Sequence, residues 1–320
     1  MYFKKLLHPE FFQGDKKHDN YFEGWYYKFV SQDETKTIAL IPGVSINKED
    51  QHAFIQVFIS SNDHDRLSLK TYYFRYDFAA FSYDHLDYSV NIGKNIFTKT
   101  YISIELINDE LTLQGTITLS NLTPIRRKLM MPNIMGPFGY LNFMECYHGI
   151  ISMTHHLNGA LLLNEAKIEF KGGKGYIEKD WGKSFPRAYV WLQSNHFENK
   201  GTAFMFSYAD IPFLGLFFKG LIANLVYENK EYRFATYNFT KVKVETIDKG
   251  YVRYVIKKGR WALEIEASSD IQIGLASPRN GKMIEQIKEG LSGNIHLKLF
   301  KRSKLIYEDT GYHAGIEIMK

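Results

Sequence analysis

Hydrophobic and polar residues alternate in short runs along most of the chain, a pattern typical of strands that bury one face. The runs are rich in aromatic and β-branched residues, and polar turns such as Asn108–Glu110 separate them. A first series of strands is predicted at Glu23–Val30, Thr37–Val44, Ala53–Ile59, Ser68–Phe74, Tyr101–Ile107 and Leu111–Leu119. A second series is predicted at Ala160–Phe170, Ala188–Phe197, Ala203–Tyr208, Gly220–Tyr227, Tyr232–Val244, Tyr251–Lys257, Trp261–Ser268, Asn294–Phe300 and His313–Met319.

One segment departs from this alternation. Met283, Ile284 and Ile287 would share one face of a helix over Lys282–Glu289, and Gly290 would end that helix. The many short strands around it predict an all-β fold of the sandwich or barrel type, with few short helices.

Two segments have the character of first strands of a domain. Phe22–Phe29 and Arg187–Gln193 each place a tryptophan inside an aromatic run. The connection Ser120–Gly149, rich in proline, glycine and methionine, separates the two series of strands. We therefore predict two antiparallel β-barrel domains in tandem, residues 1–185 and 186–320.

Composition narrows the classes of function. The net charge of +5 is spread along the chain without a basic run or helix, which argues against a nucleic-acid partner. A single cysteine, Cys146, excludes an internal disulfide and a cysteine-rich zinc site. Residues 1–12 lack the apolar core of a signal peptide. The run Ile211–Tyr227 is interrupted by Lys219, so we expect two buried strands there instead of a membrane-spanning helix. We therefore expect a cytoplasmic protein.

The densest group of candidate site residues lies between Lys174 and Phe197. One face of a strand from residue 188 onward would carry Tyr189, Trp191, Gln193, Asn195 and Phe197. A buried amide without hydrogen-bond partners costs about 1–3 kcal/mol, so amides between aromatics are unusual for a core strand. Such a face suits a pocket that holds an apolar molecule and orients its polar end.

Four motifs follow one another along nearly the whole chain: Y-F-E-G-W-Y-Y-K (Tyr21–Lys28), Y-I-E-K-D-W-G-K-S-F-P-R (Tyr176–Arg187), V-W-L-Q-S-N-H-F (Val190–Phe197) and S-P-R-N-G-K-M…L-S-G-N-I (Ser277–Ile295). Together they resemble the tocopherol cyclase family. The resemblance implies tandem lipocalin-like barrels, a fold shared with carotenoid hydratases and decalin-forming cyclases. It also implies closure of a chromanol ring from a prenylated hydroquinone without a cofactor. Asp180 stands where the plant motif E-K-N-W-G has asparagine, and Cys146–Leu157 also differs from the plant version.

The implied reaction needs an acid that protonates an alkene, a surface that stabilises the carbocation, and a phenol oxygen that attacks it. The candidate catalytic carboxyls are Glu23, Glu178 and Asp180, because burial beside aromatic or acidic side chains keeps a carboxyl protonated. The candidate substrate-binding residues are Trp25, Tyr26, Glu145, His148, Trp181, Trp191, Gln193 and Asn195. The tryptophans would face the cation, and Tyr26 with the amides would hold the quinol oxygens.

Each of these residues also has a purely structural interpretation. Trp25 would plug the base of a barrel, and the acidic side chains would pair with neighbouring lysines or arginines. Two classes of function therefore stay open. One is an enzyme that adds to an alkene by cyclisation or hydration, and the other is a non-catalytic carrier of an isoprenoid or other lipid.

Three histidines, His148, His155 and His156, raise the question of a metal site. Adjacent His155 and His156 would point to opposite faces of a strand, and the sequence offers no evident third ligand. We therefore predict no metal. His148 is a candidate proton shuttle or quinol contact, with a hydrogen-bonded core histidine as the alternative.

A basic and then apolar loop lies between the two series of strands. Arg126, Arg127 and Lys128 precede Leu129 and Met130, and further apolar residues follow up to Phe138. The loop is either a linker with buried methionines or a lip that makes a peripheral contact with the membrane surface.

Overall fold

The computed structural model describes residues 2–63, 66–85, 87–213, 216–269 and 271–320. These residues form two large antiparallel sheets and almost no helix, so the predicted all-β class is confirmed. No helix in this part of the chain has the length and apolar character needed to span a membrane.

The chain divides into two compact units. The first is Met1–Phe185 with Leu275–Gln286, and the second is Pro186–Gly274 with Ile287–Lys320. The predicted division gave residues 275–286 to the second domain, whereas the structure assigns them to the first unit.

The first unit begins with helix α1 (Tyr2–Leu7) and contains a twelve-stranded sheet. Its strands are β1 (Tyr21–Val30), β2 (Lys36–Ile46), β3 (His52–Asp63), β4 (Arg66–Asp77), β5 (Phe81–Tyr83), β6 (Ser89–Ile92), β7 (Asn95–Thr98), β8 (Tyr101–Ile107), β9 (Thr112–Ser120), β10 (Cys146–Leu163), β11 (Ala166–Glu169) and β12 (Lys174–Gly182). Two 3-10 helices lie between strands, Phe78–Ala80 after β4 and Gly136–Tyr140 before β10.

Strand pairing brings the first and last strands of this sheet together. The order is β4-β3-β2-β1-β12-β10-β9-β8-β7-β6-β5, with β11 paired to β10. The end strands β4 and β5 follow one another in the chain, yet no ladder joins them within the described residues. The sheet therefore does not close, which corrects the predicted barrel.

One face of the first sheet packs on the core of the first unit. The buried cluster on this inner face includes Tyr21, Trp25, Tyr27 and Phe29 of β1, and Ile177 and Trp181 of β12. Since side chains alternate along a strand, Tyr176, Glu178 and Asp180 of β12 point to the outer face. Phe11 and Phe12, from the segment after α1, also belong to the inner cluster.

The second sheet has eleven strands and repeats the plan of the first. Its strands are β13 (Tyr189–Ser194), β14 (His196–Phe197), β15 (Ala203–Phe213), β16 (Leu216–Tyr227), β17 (Lys230–Ala235), β18 (Lys241–Asp248), β19 (Tyr251–Lys258), β20 (Trp261–Ser268), β21 (Ile273–Arg279), β22 (Lys282–Lys301) and β23 (Lys304–Met319). The order is β17-β16-β15-β13-β23-β22-β20-β19-β18, with β14 on β23 and β21 on β22. The end strands β17 and β18 again follow one another in the chain, across the 3-10 helix Thr236–Asn238.

Strand β13 alternates between the two faces of the second sheet. Val190 and Leu192 belong to the core cluster of the second unit. Tyr189, Trp191 and Gln193 therefore point to the opposite face.

Phe197 departs from the alternation predicted for this region. It belongs to the same core cluster as Val190 and Leu192, although the sequence pattern placed it on the face of Trp191. The strand is interrupted at Asn195, which separates β13 from β14, so the alternation does not continue across this break.

The predicted helix over Lys282–Glu289 is wrong, because these residues begin strand β22. Ile284 is 66% exposed, so the three apolar residues of the predicted helix do not share a buried face. Strand β22 pairs with β21, and its ladder with β23 begins at Glu289 opposite Glu317, so the segment is extended instead.

Strand β10 is longer than its sequence indicates. The pattern predicts one strand at Ala160–Phe170, where the structure has the end of β10, a turn and β11. The predicted connection Ser120–Gly149 also includes the start of β10 at Cys146. The pairing of β10 with β12 contains register shifts, so the side chains of β10 do not alternate regularly between the two faces. Strict alternation in the sequence therefore does not predict this strand.

The apolar run Ile211–Tyr227 forms the end of β15 and all of β16, while its residues 214 and 215 lie outside the described part of the chain. Leu216 and Phe217 are 76% and 60% exposed, so these strands are not buried along their whole length as predicted.

Candidate active site

Neighbouring strands β1 and β12 carry the same short pattern, Tyr-x-Glu, at Tyr21–Glu23 and Tyr176–Glu178. Residues two apart share a face of a strand, and each tyrosine O–H donates to Oε2 of its glutamate at 2.5 Å. In the register of the two strands Glu23 stands opposite Trp181, on the inner face, so the two patterns point to opposite faces. Two clusters of ionisable residues result, one on each face.

Glu23 anchors the inner cluster and is fully buried. Its carboxylate accepts hydrogen bonds from Gln13 N–H, at 2.8 Å to Oε1 and 2.9 Å to Oε2, and from Tyr21. It also forms an ion pair with Lys179. Burial raises the pKa of Glu23, while Lys179 and the other donors favour the ionised form. Because every one of these partners donates, we assign Glu23 as a carboxylate.

Lys179 is the fully buried partner of Glu23. Its Nζ donates to Pro9 O at 2.8 Å and to Phe11 O at 2.6 Å, in addition to the ion pair. Burial lowers the pKa of Lys179 to about 8, against the opposing effect of Glu23. Three acceptors match the three N–H groups of an ammonium, so we assign the inner pair as ionised.

The ammonium of Lys179 lies close to the rings of both Trp25 and Trp181. Lys179 Nζ is 4.6 Å from the ring centre of Trp25 and 5.0 Å from that of Trp181. Trp25 Nε1–H also donates to Glu10 O at 2.8 Å, and the ring of Trp181 stacks on Tyr147 at 5.5 Å. Both indoles already face a cation of the protein, which argues against their predicted contact with a substrate cation.

The outer cluster is built around His148 of β10. Its Nδ1 lies 2.8 Å from Asp180 Oδ1, and its Nε2 lies 3.2 Å from Glu178 Oε2. The second contact has an ion-pair distance without the alignment of a hydrogen bond. His148 and Glu178 are buried, whereas 25% of the Asp180 side chain is exposed. The imidazole therefore lies between two carboxylates, of which only Asp180 is accessible.

These carboxylates determine the protonation of His148. Burial alone would favour the neutral ring, but the charges of Asp180 and Glu178 raise the pKa of His148 well above its usual value. Burial and the charge of Glu178 likewise raise the pKa of Tyr176, which keeps its phenol protonated as a donor. The cluster thus stores a proton on an imidazolium near neutral pH.

The outer face beside Asp180 has no side chain on the adjoining strand β1. Gly24 stands opposite Asp180 in the register. A Cβ at Gly24 would meet only Ile41 Cγ2 at 3.6 Å and Pro42 O at 3.8 Å, which are ordinary contacts. Tyr26 lies opposite Glu178 on the same face, and the buried Lys28 lies opposite Tyr176.

Of the predicted residues near this cluster, Glu145 differs from expectation. It lies just before β10, and its backbone carbonyl accepts from Lys183 N–H at 2.7 Å. The backbone carbonyl of Glu145 thus contacts the end of β12 and holds the turn after Gly182.

The remaining predicted residues belong to the second unit. Trp191 and Gln193 are buried on the face of β13 opposite its core, where Trp191 stands opposite Glu317. Asn195 is also buried, and its Oδ1 lies 2.9 Å from His196 Nδ1. These three side chains are uncharged, but the face of Trp191 also carries Glu317, which accepts from Tyr189 O–H at 2.6 Å and stands opposite the buried Glu289.

Comparison with known proteins identifies the family of this chain. The family model described as tocopherol cyclase-like matches residues 133–319, more than half of the sequence. The chain belongs to the tocopherol cyclase-like family. The matched segment contains the whole outer cluster and Trp191, whereas Glu23 and Trp25 precede it.

A curated relative supports the same membership. The chain is 24% identical over 194 residues to a probable chloroplastic tocopherol cyclase of Oryza sativa subsp. japonica. The match covers 57% of this chain and 40% of the rice protein. It therefore spans less than half the length of that relative.

Solved structures share the fold of this tocopherol cyclase-like chain. A putative AttH from Nitrosomonas europaea is 14% identical with a TM-score of 0.55, and 93% of each chain is covered. Kievitone hydratase from Nectria haematococca is 12% identical with a TM-score of 0.54, covering 93% of this chain and 88% of that one. CghA with Sch210972 is 8% identical with a TM-score of 0.58 and the same coverage. At these identities the likeness concerns the tandem lipocalin-like fold alone.

Three residues of the two clusters were not predicted from the sequence: Tyr21, Tyr176 and Lys179. Strand alternation carries the signal for all of them. Lys179 lies between Glu178 and Asp180, so it must point to the other face of β12. The two tyrosines each precede a candidate glutamate by two residues and so share its face.

The outer cluster also has the side-chain types of a metal site. Ligand atoms of His148, Glu178 and Asp180 all lie within 4.8 Å of one another. However, the imidazole already faces a carboxylate with each ring nitrogen, and an ion bound at one nitrogen would have to displace its proton. The arrangement matches a stored proton better than a cation.

Proposed function

We propose that this tocopherol cyclase-like chain is an enzyme that protonates an alkene of an apolar isoprenoid substrate and closes a chromanol-type ring. The observation that carries the proposal is the position of His148 between the buried Glu178 and the part-exposed Asp180. A carrier needs an apolar cavity but no such proton store, and a core histidine needs only one acceptor.

In the proposed reaction Asp180 is the acid. The imidazolium of His148 passes its Nδ1 proton to the carboxylate of Asp180. The part-exposed carboxyl of Asp180 donates this proton to the less substituted alkene carbon, and a tertiary carbocation forms. The phenol oxygen then bonds to the cation, and the phenol proton returns through Asp180 to His148. Substrate and product are isomers, so the step needs no oxidant or reductant.

The other outer residues support this step. Glu178 balances the charge of the imidazolium, and Tyr176 orients Glu178 through its hydrogen bond of 2.5 Å. Tyr26, which lies opposite Glu178, offers an aromatic ring for the cation. Glu23 has no part in the step, because the ion pair with Lys179 and its other donors hold it ionised.

Deuterium incorporation tests the proposal. Incubation with a prenylated hydroquinone in heavy water should give a chromanol with one deuterium on the former alkene carbon. Asp180→Asn should lower turnover by about 10²–10⁴-fold, the usual contribution of a general acid, and leave substrate binding intact. Asp50→Asn is the matched control, because Asp50 is 35% exposed beside the buried His52.

Three other outcomes are distinguishable. Substrate binding without any product would favour a lipid carrier. An alcohol product with oxygen from water would favour a hydratase that shares the same first step. Full turnover in Asp180→Asn would remove Asp180 as the acid and end this proposal.

A further inference from the structure

The connection between β9 and β10 contains a tight turn that carries two apolar side chains into solvent. Lys128 N–H donates to Met131 O at 3.0 Å, and Met131 N–H donates to Lys128 O at 2.8 Å. Leu129 and Met130 lie between these residues and are 85% and 65% exposed. Tyr140 O–H donates to Leu129 O, so a third hydrogen bond, from outside the turn, holds its apex.

The charged residues of this connection are all basic. Arg126 and Lys128 are exposed, whereas Arg127 turns toward Glu10, with 3.9 Å between Nη2 and Oε2. No aspartate or glutamate occurs from Asn121 to Met144 in the sequence. Two cationic side chains therefore flank an apolar apex with no acidic residue in the connection.

Another exposed apolar residue of the first unit has the opposite surroundings. Ile107, at the end of β8, is 58% exposed, and Asp109 and Glu110 follow it in the turn to β9. Exposed single apolar residues of this kind are common on protein surfaces and need no partner. The combination at Leu129 and Met130 is different, because it pairs a constrained apolar apex with flanking cations.

We propose that the turn Lys128–Met131 docks on a lipid bilayer with anionic headgroups. Leu129 and Met130 insert at the boundary between headgroups and acyl chains, and Arg126 and Lys128 bind the headgroups. This surface is independent of the proposed reaction, since none of these residues belongs to the outer cluster. The proposed docking surface consists of four residues of the basic and apolar loop: Arg126, Lys128, Leu129 and Met130. Arg127 is not part of this surface, because it faces Glu10.

Vesicle co-sedimentation tests the apolar part. Phosphatidylcholine vesicles with phosphatidylserine should sediment the wild-type protein. The double variant Leu129→Ser/Met130→Ser should lose at least about tenfold in partitioning, since both inserted side chains become polar. Ile107→Ser is the matched control and should bind as the wild type does. All three proteins should melt at the same temperature, because the substituted side chains are exposed.

Pure phosphatidylcholine vesicles and added salt test the electrostatic part. Arg126→Gln with Lys128→Gln should weaken binding to the anionic vesicles by about fivefold for each charge removed, with little effect on neutral vesicles. High salt should reduce wild-type binding in the same way. A wild-type protein that sediments with neither vesicle, or a Leu129→Ser/Met130→Ser variant that binds normally, would overturn the proposal.

Discussion

The inner and outer clusters of the first unit begin from the same Tyr-x-Glu pattern and differ in the cation that the glutamate meets. On the inner face, Glu23 meets Lys179, whose three N–H groups all have acceptors. On the outer face, Glu178 meets His148, which a second carboxylate, Asp180, also contacts. The inner cluster is a balanced and closed ion pair. In the outer cluster one imidazole faces two carboxylates, and Asp180 is part-exposed.

Because of this difference, the inner cluster suits a role in stability and the outer cluster suits a role in reactivity. A buried ion pair with complete hydrogen bonding holds its neighbours in place but has no proton to exchange. A histidine between two carboxylates holds a proton that can move, and its part-exposed partner can deliver it. The outer position of β12 at residue 180 therefore suits chemistry, and its inner position at residue 179 suits structure.

Breaking the inner pair should have the largest effect on folding. Lys179→Met leaves Glu23 buried without its counter-ion and should lower the free energy of unfolding by about 3–5 kcal/mol. Denaturant unfolding would measure this loss. Lys219→Met, which breaks an exposed pair with Asp210, should cost less than about 1 kcal/mol. The double variant Lys179→Met/Glu23→Leu should recover much of the stability, and a small loss in Lys179→Met alone would contradict the assignment of a buried ion pair.

Removing the outer imidazole should affect turnover more than folding. His148→Gln should lower kcat by about 10²-fold, because Asp180 loses the source of the proton that it delivers. Since the pKa of His148 is raised, wild-type activity should be retained at neutral pH and fall as the pH rises through that raised value. The pH profile of His148→Gln should lack this alkaline limb. An unchanged limb in the variant would assign the titration to another group.

A second histidine of β10 has the opposite titration and offers a smaller test. His155 is buried against Gly175, and burial together with His156 lowers the pKa of His155 to about 3. An unfolded chain protonates histidine near pH 6.5, so below this pH the unfolded state binds the extra proton and the free energy of unfolding falls. The loss from pH 6.5 to pH 5 should be about 2 kcal/mol. Denaturation of wild type and His155→Gln at both pH values measures it, and equal slopes would contradict a neutral buried ring.

Local sequence patterns were enough to predict the strands of the clusters but not their partners. Alternation places Glu178 and Asp180 on one face and Lys179 on the other, whatever the rest of the fold does. The identity of each partner depends on distant chain segments. Lys179 donates to Pro9, 170 residues earlier, and Asp180 meets His148 across a pairing that contains register shifts. No spacing in the sequence encodes such contacts.

The wrong helix has the same origin. Residues 282–289 have apolar spacing that suits a helix, but pairing of β22 with β21, and with β23 from Glu289 onward, decides their conformation. The tandem arrangement of two domains was easier to predict, because the aromatic first strands β1 and β13 each contain a tryptophan that is evident in the sequence. Trp25 then packs beside Lys179 in the inner cluster, a role that only the partner on β12 reveals.

The smallest expected effect concerns the open surface beside Asp180. Gly24→Val adds a side chain opposite Asp180, and its Cβ would meet only ordinary contacts, so the protein should fold normally. A misfit of this size in an apolar site should raise KM by about tenfold while leaving kcat and deuterium incorporation nearly unchanged. Gly24→Ala should have an intermediate effect. Steady-state kinetics separates the two parameters, and an unchanged KM in Gly24→Val would mean that the substrate does not approach Asp180 over β1.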